Sequence, residues 1–570
     1  MLEKYLNDRN ENQSLWLPEL RRELVGSPEA VEVIFSLTSC SGERVDRRQY
    51  IPKWSTAEER SFAREVLNAC VFNMLAVFGG QEMRFFPREQ DAGVLELLSG
   101  LEKDFSTGGL SKCIRVSDRI NAHFGNAGFR FVTDEYEHYL PCGEKADFRA
   151  NLTEKLRKTA EREKGRNCCG VDIGGTDIKL AAAKGDRLIC VKEYDWNPSE
   201  SKTAEGIIKP VLLLVRLMRT CIAAEGTELF PELESTLRKE ATDGEIEHAV
   251  SHVEAELGNG INVLDAVGVS YPDVVVCNKI IGGETPKTKG MRDNPELDYE
   301  EEFAKLTALD DRIKELCRAD GRVRMANDGS LAAYTAAMEL AHSPDSSGID
   351  GGVIAHSLGT DLGTGWLDWD GTIPPIPLEL YDCLVELGSM AKRLYPPRDL
   401  RSVCNENSGL PGVRRYLGQA GAFRMAWELD ERLLDGFTKK DGDMLYIPDG
   451  VPDLRKPCLE KLMELAEAGD ENACEVFYRI GVNLGQVCRE AEFLMESGIN
   501  TRYLFGRLAK RKSCFEQISR GCKVTAPEIE LIAADSDMAF SPLMRTLSER
   551  RDATVAQFGQ AIGSAYFAFS

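Results

Sequence analysis

The segment that decides the fold runs from Cys169 to Lys179 and reads CGVDIGGTDIK. An apolar strand ends at Asp172, and two glycines follow before a second strand begins. Because glycines carry no Cβ atom, the backbone of such a turn can approach an anion and direct its N–H groups toward it. Gly-Gly turns are also common in ordinary β-hairpins. The complete D-x-G-G-T-x-x-K string favours the anion-binding interpretation.

The side chains around this turn suit a phosphate and a metal ion. Asp172 is placed to hold Mg²⁺ through water, because that ion keeps several waters and takes few protein ligands. The string resembles the first phosphate motif of the actin-like ATPase superfamily, and most closely that of its ROK-type and hexokinase-type sugar kinases. The resemblance implies ATP as a ligand. The implied phosphate-binding residues are Asp172, Gly174, Gly175, Thr176 and Lys179.

A second match lies at Met325–Ser330, MANDGS, ahead of an apolar helix. The pair Asn327-Asp328 resembles the family's sugar-binding Asn and catalytic Asp at a strand end. Phosphoryl transfer needs one carboxylate to accept the hydroxyl proton, so Asp328 is the candidate base. An Asn-Asp pair before a helix is by itself typical of an N-cap. Its place after a strand, between two glycine-rich turns, favours the catalytic interpretation.

Two shorter matches concern the sugar. Thr288 and Lys289, in the segment KTKGM, resemble the Thr-Lys-Gly segment of hexokinases, although a basic surface loop fits equally well. Glu379 resembles the glutamate that closes the sugar site of ROK kinases, without the flanking glycines and histidine; an exposed loop carboxylate is nearly as good an interpretation. The cysteine-rich zinc motif of many ROK proteins is absent, so we expect no structural zinc.

The second phosphate motif is found in His356–Trp366, HSLGTDLGTGW. Gly359, Thr360 and Gly363 match the family pattern, whereas Asp361 stands where a glycine is usual. A carboxylate at that point would repel phosphates unless it faces away or meets the metal. The adenosine motif is weaker, because it keeps Gly506 and replaces the neighbouring glycine by Phe505. Phe505 or Arg507 is a candidate for stacking on adenine.

Composition limits the classes of function. The chain has 570 residues, which suggests about four domain-sized units. With 70 basic and 93 acidic residues the net charge is −23, which disfavours general nucleic-acid binding. The resemblance to sugar kinases implies a small sugar and a nucleotide as partners. The N-terminus resembles no secretory signal and no apolar run is obvious as a membrane span, so we expect a cytoplasmic protein with reduced cysteines. A homo-oligomer is left open.

The pattern of short strands predicts a duplicated α/β architecture. Three strand-like runs joined by tight turns follow Cys168, and a similar arrangement starts near Gly351. With the resemblance, this predicts a ribonuclease H-like, two-lobed actin-like ATPase fold with an added α+β N-terminal domain. The predicted limits are 1–165 for the N-terminal domain, 166–335 for lobe 1 and 336–550 for lobe 2, with a helical insertion at about 203–257 and the C-terminal helix 551–570 returning to lobe 1.

The leading hypothesis is an ATP-dependent hexose kinase that phosphorylates a sugar hydroxyl, by resemblance the 6-hydroxyl, with the nucleotide between the two hairpins. One alternative is a non-catalytic, sugar-responsive regulator, since ROK proteins include repressors; residues 1–165 show no winged helix-turn-helix. Another is a degenerate actin-like ATPase, as Asp361 and Phe505 would suggest. His248 and His252, four residues apart, make a metal pair conceivable, but a solvated helix face fits better.

Overall fold

The computed structural model describes residues 2–142, 151–344, 348–406, 408–449, 453–506, 508, 511–534 and 538–570. The α-helices are α1 (Leu2–Asn10), α2 (Leu17–Leu24), α3 (Ala57–Phe78), α4 (Ala92–Ser99), α5 (Leu101–Asp104), α6 (Ser111–His123), α7 (Leu152–Glu163), α8 (Ala204–Ala224), α9 (Phe230–Glu234), α10 (Asp243–Leu257), α11 (Lys289–Arg292), α12 (Tyr299–Thr307), α13 (Leu309–Lys314), α14 (Asp328–His342), α15 (Met390–Arg393), α16 (Gln419–Leu429), α17 (Arg455–Glu467), α18 (Glu471–Met495), α19 (Lys512–Thr525), α20 (Pro542–Ser548) and α21 (Val555–Phe567). The strands are β1 (Ala30–Thr38), β2 (Arg44–Pro52), β3 (Glu82–Pro87), β4 (Arg130–Thr133), β5 (Asn167–Ile173), β6 (Asp177–Lys184), β7 (Arg187–Asp195), β8 (Ala266–Tyr271), β9 (Val275–Val276), β10 (Lys279–Ile280), β11 (Arg322–Asn327), β12 (Gly352–Leu358), β13 (Leu362–Asp368), β14 (Lys439–Asp441), β15 (Met444–Tyr446), β16 (Thr501–Phe505) and β17 (Glu530–Ala533).

The chain divides into two compact units. The first unit comprises Met1–Asp147, His356–Thr364 and Ile376–Ala533. The second unit comprises Phe148–Ala355, Gly365–Pro375 and Ala534–Ser570. The predicted domain limits, with a separate N-terminal domain, stay predictions.

The second unit is built on a five-stranded sheet in the order β11-β8-β5-β6-β7. Strands β5, β6 and β7 form an antiparallel meander, while β8 and β11 run parallel to β5. When the five strands of this sheet are numbered in chain order and read from β7 to β11, the order is 3-2-1-4-5. This is the ribonuclease H-like arrangement of actin-like ATPases. The predicted fold class is confirmed, and the three strand-like runs after Cys168 are β5, β6 and β7.

Both faces of this sheet are covered by helices. Because side chains alternate along a strand, Cys169 and Val171 point to the core that includes α8, and Gly170 points the other way. A Cβ atom at Gly170 would lie 1.8 Å from the carbonyl oxygen of Ala561 in α21. The paired Gly268 on β8 approaches Ser564 of α21 as closely, at 1.7 Å. The C-terminal helix therefore packs against the sheet backbone, and only glycine fits at these two positions.

The first unit contains a sheet in the order β2-β1-β3-β4, to which the N-terminal segment contributes all four strands. The apolar run Val31–Leu37 forms most of β1, and the apolar helix α3 follows β2 in the chain. Thr56 and Glu59 form a capping box at the start of α3, which satisfies backbone N–H groups that the helix leaves free.

The sheet that holds the second glycine-rich hairpin has the order β13-β12-β16-β17, with β16 and β17 parallel. Its strands correspond to strands 2, 1, 4 and 5 of the five-stranded sheet of the second unit. Among the described residues no third strand follows β13 at its edge. The next segment contains Pro374, Pro375 and Pro377, which lack the N–H groups that a strand needs for pairing. The repeat is therefore incomplete at this edge.

Helix α3 has 22 residues and, within the described chain, is the one helix long and apolar enough to cross a membrane by length and composition. Within the protein, 78% of its most apolar window is buried. This burial is typical of a core helix. All seventeen cysteines are free thiols, and most are buried.

Candidate functional site

The candidate site of the second unit lies where three parallel strands end. Asp172 on β5 is in register with Ser270 on β8, which is in register with Ala326 on β11. Asn327 ends β11, and Asp328 begins α14. The carboxyl ends of parallel strands meet at one edge, where ligands bind in open α/β sheets. We call this edge, with Asp172, Ser270 and Asp328, the polar edge.

Asp172 is a partly buried carboxylate without an ion-pair partner in the described part of the chain. Burial raises its pKa from 3.8 to about 6, while a hydrogen bond from Ser270 and the charge of Lys179 act in the opposite direction. The nearby carboxylate of Asp328 adds to the rise. Bringing a cation close to Asp172 would therefore favour its ionised form. This donor chemistry fits a hydrated Mg²⁺ ion.

The β5–β6 turn presents an open glycine backbone. The Gly174 N–H donates to the Asp177 carbonyl oxygen at 2.8 Å, and Trp196 Nε1 donates to the Gly174 carbonyl oxygen at 3.1 Å. Gly175 and Thr176 are exposed. The nearest atom to a Cβ atom placed on Gly175 would be Lys287 Cε, at 3.8 Å. The turn is thus held in shape while its tip stays accessible to a ligand.

Lys179, a predicted phosphate ligand, is already paired within the hairpin. Its Nζ atom lies 2.6 Å from Asp177 Oδ1, and its side chain is 18% exposed. The pair neutralises much of the lysine's charge. Lys179 would have to share or exchange this partner in order to meet a phosphate.

Asn327 caps helix α14, while Asp328 keeps one carboxylate oxygen that could take part in chemistry. Asn327 is the N-cap of α14, since its Oδ1 accepts the Gly329 N–H at 2.9 Å, and its Nδ2 donates to the Asp273 carbonyl oxygen at 3.0 Å. Asp328 Oδ1 accepts from the same Gly329 N–H at 2.8 Å. Oδ2 of Asp328 has no hydrogen-bond partner among the described residues. One oxygen is therefore oriented by the backbone, and the other is available for a proton.

Burial also raises the pKa of Asp328. The positive charge of Lys287 opposes this shift, and the carboxylate of Asp273 adds to it. Lys287 donates from Nζ to the Pro272 carbonyl oxygen at 2.9 Å. This lysine therefore lies close to both Gly175 and Asp328, although sequence comparison did not assign it a role. The only signal was its place at the start of the KTKGM segment.

Gln560 of α21 also reaches the polar edge. Its Nε2 donates to Ser270 Oγ at 3.1 Å and to the Asp328 carbonyl oxygen at 2.7 Å. This one side chain connects the end of β8 with the start of α14. No local pattern in the sequence pointed to it, because Gln560 and Asp328 are 232 positions apart.

The predicted sugar residues Thr288 and Lys289 lie at the start of α11. The Thr288 hydroxyl is buried and bonds to Tyr299 at 3.1 Å and to the Thr285 carbonyl oxygen at 3.3 Å. Lys289 is exposed. The Thr288 hydroxyl is thus engaged in holding its own loop, and the sugar-binding roles of both residues stay predictions.

The other predicted residues belong to the first unit. Gly359 begins the β12–β13 turn, where a Cβ atom would meet nothing within 4 Å. Thr360 passes close to Gly418, whose Cβ atom would lie 2.7 Å from the Thr360 carbonyl oxygen. Asp361 Oδ1 is 2.9 Å from Arg414 Nε, so the residue that departs from the family pattern is neutralised by an arginine. A Cβ atom at Gly363, on β13, would lie 3.5 Å from Ser357 Cβ.

Gly506 has an evident structural role, whereas only the backbone contact of Glu379 is defined. Gly506 has φ +94°, and a Cβ atom there would lie 2.3 Å from the Leu358 carbonyl oxygen, so close packing of β12 and β16 requires glycine. The Glu379 N–H donates to the Ala76 carbonyl oxygen at 3.0 Å, near the end of α3. Phe505 is half-buried beside Gly506. Arg507 lies outside the described residues.

The histidine pair on α10 faces solvent. His252 Nδ1 lies 2.9 Å from Glu232 Oε2, and both side chains are exposed. The described residues contain no group of three or more His, Cys, Asp or Glu side chains that could hold a metal ion. A hydrated Mg²⁺ held by one carboxylate is not a group of that kind.

No protein-family model and no curated protein matches the sequence. Among solved structures, the chain is similar to a ROK family glucokinase from Streptomyces griseus in complex with glucose and AMPPNP, at 16% identity and a TM-score of 0.39, over 70% of this chain and 99% of that one. It is also similar to a glucokinase from Leishmania braziliensis, at 14% identity and a TM-score of 0.40, over 74% and 98% of the two chains. A third similar structure is a ROK family transcriptional regulator, a homologue of the E. coli MLC protein, at 12% identity and a TM-score of 0.38, over 71% and 82%.

The strand order of the two sheets, rather than these distant likenesses, carries the assignment of the fold. The protein has the duplicated, ribonuclease H-like fold of actin-like ATPases, with an incomplete second repeat.

Proposed function

We propose that the protein transfers the γ-phosphoryl group of Mg-ATP to a hydroxyl group of a hexose or amino sugar. The observation that carries the proposal is the polar edge. Two carboxylates, Asp172 and Asp328, lie there within electrostatic reach of each other, and Lys287 is close to both Asp328 and the open turn at Gly175. Phosphoryl transfer depends mainly on positioning and on neutralising charge, and these groups suit both tasks.

Each group has a distinct role in the proposed reaction. Asp172 would hold Mg²⁺ through water, and the bound ion would supply positive charge for the phosphate oxygens. The N–H groups of Gly174, Gly175 and Thr176 would meet those oxygens, with Lys287 as a second source of positive charge. The sugar oxygen forms the new bond to phosphorus, the bond from phosphorus to the bridging oxygen breaks, and ADP leaves with that electron pair.

Asp328 is the proposed base. Its Oδ1 is held by the Gly329 N–H, so Oδ2 can accept the proton that the sugar hydroxyl loses. The 6-hydroxyl, implied by the family resemblance, remains the proposed acceptor. Thr288, Lys289, Asn327 and Glu379 as sugar ligands, and Gly359, Thr360, Gly363 and Gly506 as nucleotide ligands, remain part of the proposal.

The direct assay is ADP release, measured by a coupled enzyme, against a panel of hexoses and amino sugars. We expect one or a few sugars to accelerate ADP release well above the rate with ATP alone. Sugar binding by calorimetry without any ADP release would instead favour a non-catalytic regulator. ADP release that no sugar accelerates would contradict the acceptor class.

A further inference from the structure

A cavity of about 270 Å³ lies entirely within the first unit, next to the turn between β12 and β13. Thr360 and Asp361 of that turn form part of its wall. Leu400 and Phe423 contribute apolar surface. Four arginines also line it, and they are Arg398, Arg414, Arg415 and Arg455. Of the proposed nucleotide ligands in this unit, Thr360 lines the cavity, whereas Gly359, Gly363 and Gly506 do not.

Three of these arginines have carboxylate partners. Arg414 pairs with Asp361 at 2.9 Å, and Arg398 approaches Glu406 at 3.6 Å. Arg455 approaches Asp449 at 3.3 Å. The remaining carboxylate of the wall, Asp441, is exposed to solvent. The charges of these groups are thus largely balanced or screened by water.

Arg415 differs from the other three. It is only 8% exposed and has no carboxylate partner among the described residues. Its Nε and Nη2 atoms donate to the carbonyl oxygens of Ser402 and Asp399, at 2.8 to 3.2 Å. Its Nη1 atom has no hydrogen-bond partner in the described part of the chain. A fixed, buried guanidinium group therefore lines the cavity, and the N–H donors of its Nη1 atom are unused.

This arrangement is costly without a counter-ion. Burial lowers the pKa of Arg415 to about 10, with the charges of Arg424 and Arg414 acting in the same direction. The more distant carboxylates of Glu406 and Asp361 oppose this shift without an ion pair, and the group is still a cation at neutral pH. An unpaired buried charge is strongly unfavourable. The N-terminus of the eleven-residue helix α16 also meets the cavity at Gln419 and Ala420 and adds partial positive charge. An anion in the cavity would neutralise the Arg415 charge and would also be stabilised by the N-terminus of α16.

We infer that this cavity binds a phosphate group, either free or as the monoester of a small molecule, with Arg415 as its main ligand. The size supports this class, because sites for larger organic ligands span roughly 300–1,000 Å³. The two N–H donors on Nη1 of Arg415 and its positive charge suit phosphate oxygens. The bound phosphate would also meet Arg414, which neutralises Asp361 in the turn of the second hairpin. Occupancy of the cavity would therefore influence that turn.

The test is calorimetric titration of the full chain with inorganic phosphate and with glycerol 3-phosphate, with AMPPNP and Mg²⁺ present throughout to occupy the proposed nucleotide site. We expect saturable binding of at least one probe, weakened at least tenfold in Arg415→Met. The matched control is Arg432→Met, at an arginine of the same unit that is 80% exposed, paired with Asp430 and absent from the cavity wall. This control should bind as the wild type does.

Equal binding in the wild type and in Arg415→Met, or no saturable binding of either probe, would overturn the inference. If Arg415→Met does not fold, as judged by circular dichroism, Arg398→Gln should still weaken binding several-fold, and unchanged binding would again overturn the inference. The stronger of the two probes identifies the source, free phosphate or a monoester. The binding does not depend on kinase activity, so a protein that fails every kinase assay could still pass this test.

Discussion

The two glycine-rich hairpins are similar in sequence and differ in their surroundings. The turn at Gly174 and Gly175 is bordered by a partly buried carboxylate, Asp172, that has no ion-pair partner among the residues described. The turn at Gly359 carries its carboxylate, Asp361, in an ion pair with Arg414. The first hairpin continues into a third strand, whereas a proline-rich segment follows the second.

This difference indicates that the duplication of the fold is not a duplication of chemistry. An unpaired carboxylate can take up a metal ion, whereas one that is paired to arginine has its charge already satisfied. We therefore expect the chemical step to depend on the polar edge of the second unit. The conformation of the β12–β13 turn should instead respond to whether the arginine-lined cavity beside it is occupied.

The largest expected effect comes from Asp328→Asn. Loss of the proposed general base should lower kcat by about 10²- to 10⁴-fold, measured as sugar-dependent ADP release. The amide can still accept the Gly329 N–H, so the fold should be retained. Asp320→Asn, an exposed aspartate of the same unit, is the control and should keep wild-type kcat. Wild-type turnover in Asp328→Asn would exclude Asp328 as the base.

A second prediction concerns how the stability of the second unit depends on pH. Burial raises the pKa of Glu163, which contacts Cys168 on β5, from 4.5 to about 8. The folded state therefore holds a proton that the unfolded state has lost between these values, and stability should fall as pH rises through this interval. The loss should reach on the order of 5 kcal/mol.

Urea denaturation at several pH values would measure this loss. Glu163→Gln should remove most of the decline, because the amide has no proton to lose. Glu161→Gln, at an exposed position of the same helix, should leave the decline as it is. The same slope in all three proteins would show that Glu163 titrates normally.

A third prediction compares glycines within the second hairpin region. Gly506→Ala should destabilise the protein by at least about 2 kcal/mol, because φ is +94° and the new Cβ atom would clash with the Leu358 carbonyl oxygen. Gly359→Ala meets nothing within 4 Å and should change stability by less than about 0.5 kcal/mol. Chemical denaturation of both variants checks this, and equal losses would contradict the close packing at Gly506.

The smallest effect concerns metal binding at Asp172. Because burial holds its pKa at about 6, the carboxylate gains its charge as pH rises through that value. The affinity for Mg-AMPPNP should therefore rise with pH by up to about tenfold per unit below pH 6 and level off above it. Asp172→Asn should bind weakly and lack this pH step. A pH step that persists in the variant would mean that another group controls binding.

Much of the second unit could be predicted because its signals are local. The meander β5–β6–β7 follows from apolar runs and glycine turns, and the Asn327-Asp328 pair is recognisable at its strand end. Lys287 and Gln560 could not be found in this way, since they reach Asp328 only through the folded chain. The absence of a third strand after β13 was not predicted, because the hairpin β12–β13 resembles the first hairpin in sequence. The prolines after β13 prevent this segment from pairing as a strand, because proline has no N–H group to donate.

The roles of single residues were harder to predict than their positions. Thr288 stands in a segment that resembles a sugar-binding motif, yet its hydroxyl holds its own loop. Gly506 resembles a nucleotide contact, yet packing against Leu358 already requires a glycine there. In both cases a structural and a functional demand select the same residue type, so sequence alone cannot separate them.

The central claim is that the first hairpin and its polar edge bind the metal nucleotide. Calorimetric titration of the wild type and of Gly175→Ala with Mg-AMPPNP tests it most directly, since a Cβ atom at Gly175 is tolerated by the fold but would stand where phosphate must approach. The account predicts binding by the wild type, at least tenfold weaker binding by Gly175→Ala at unchanged thermal stability, and wild-type binding by Gly244→Ala, which alters another open glycine of the same unit. No wild-type binding at millimolar nucleotide, or equal affinities in all three proteins, would contradict it.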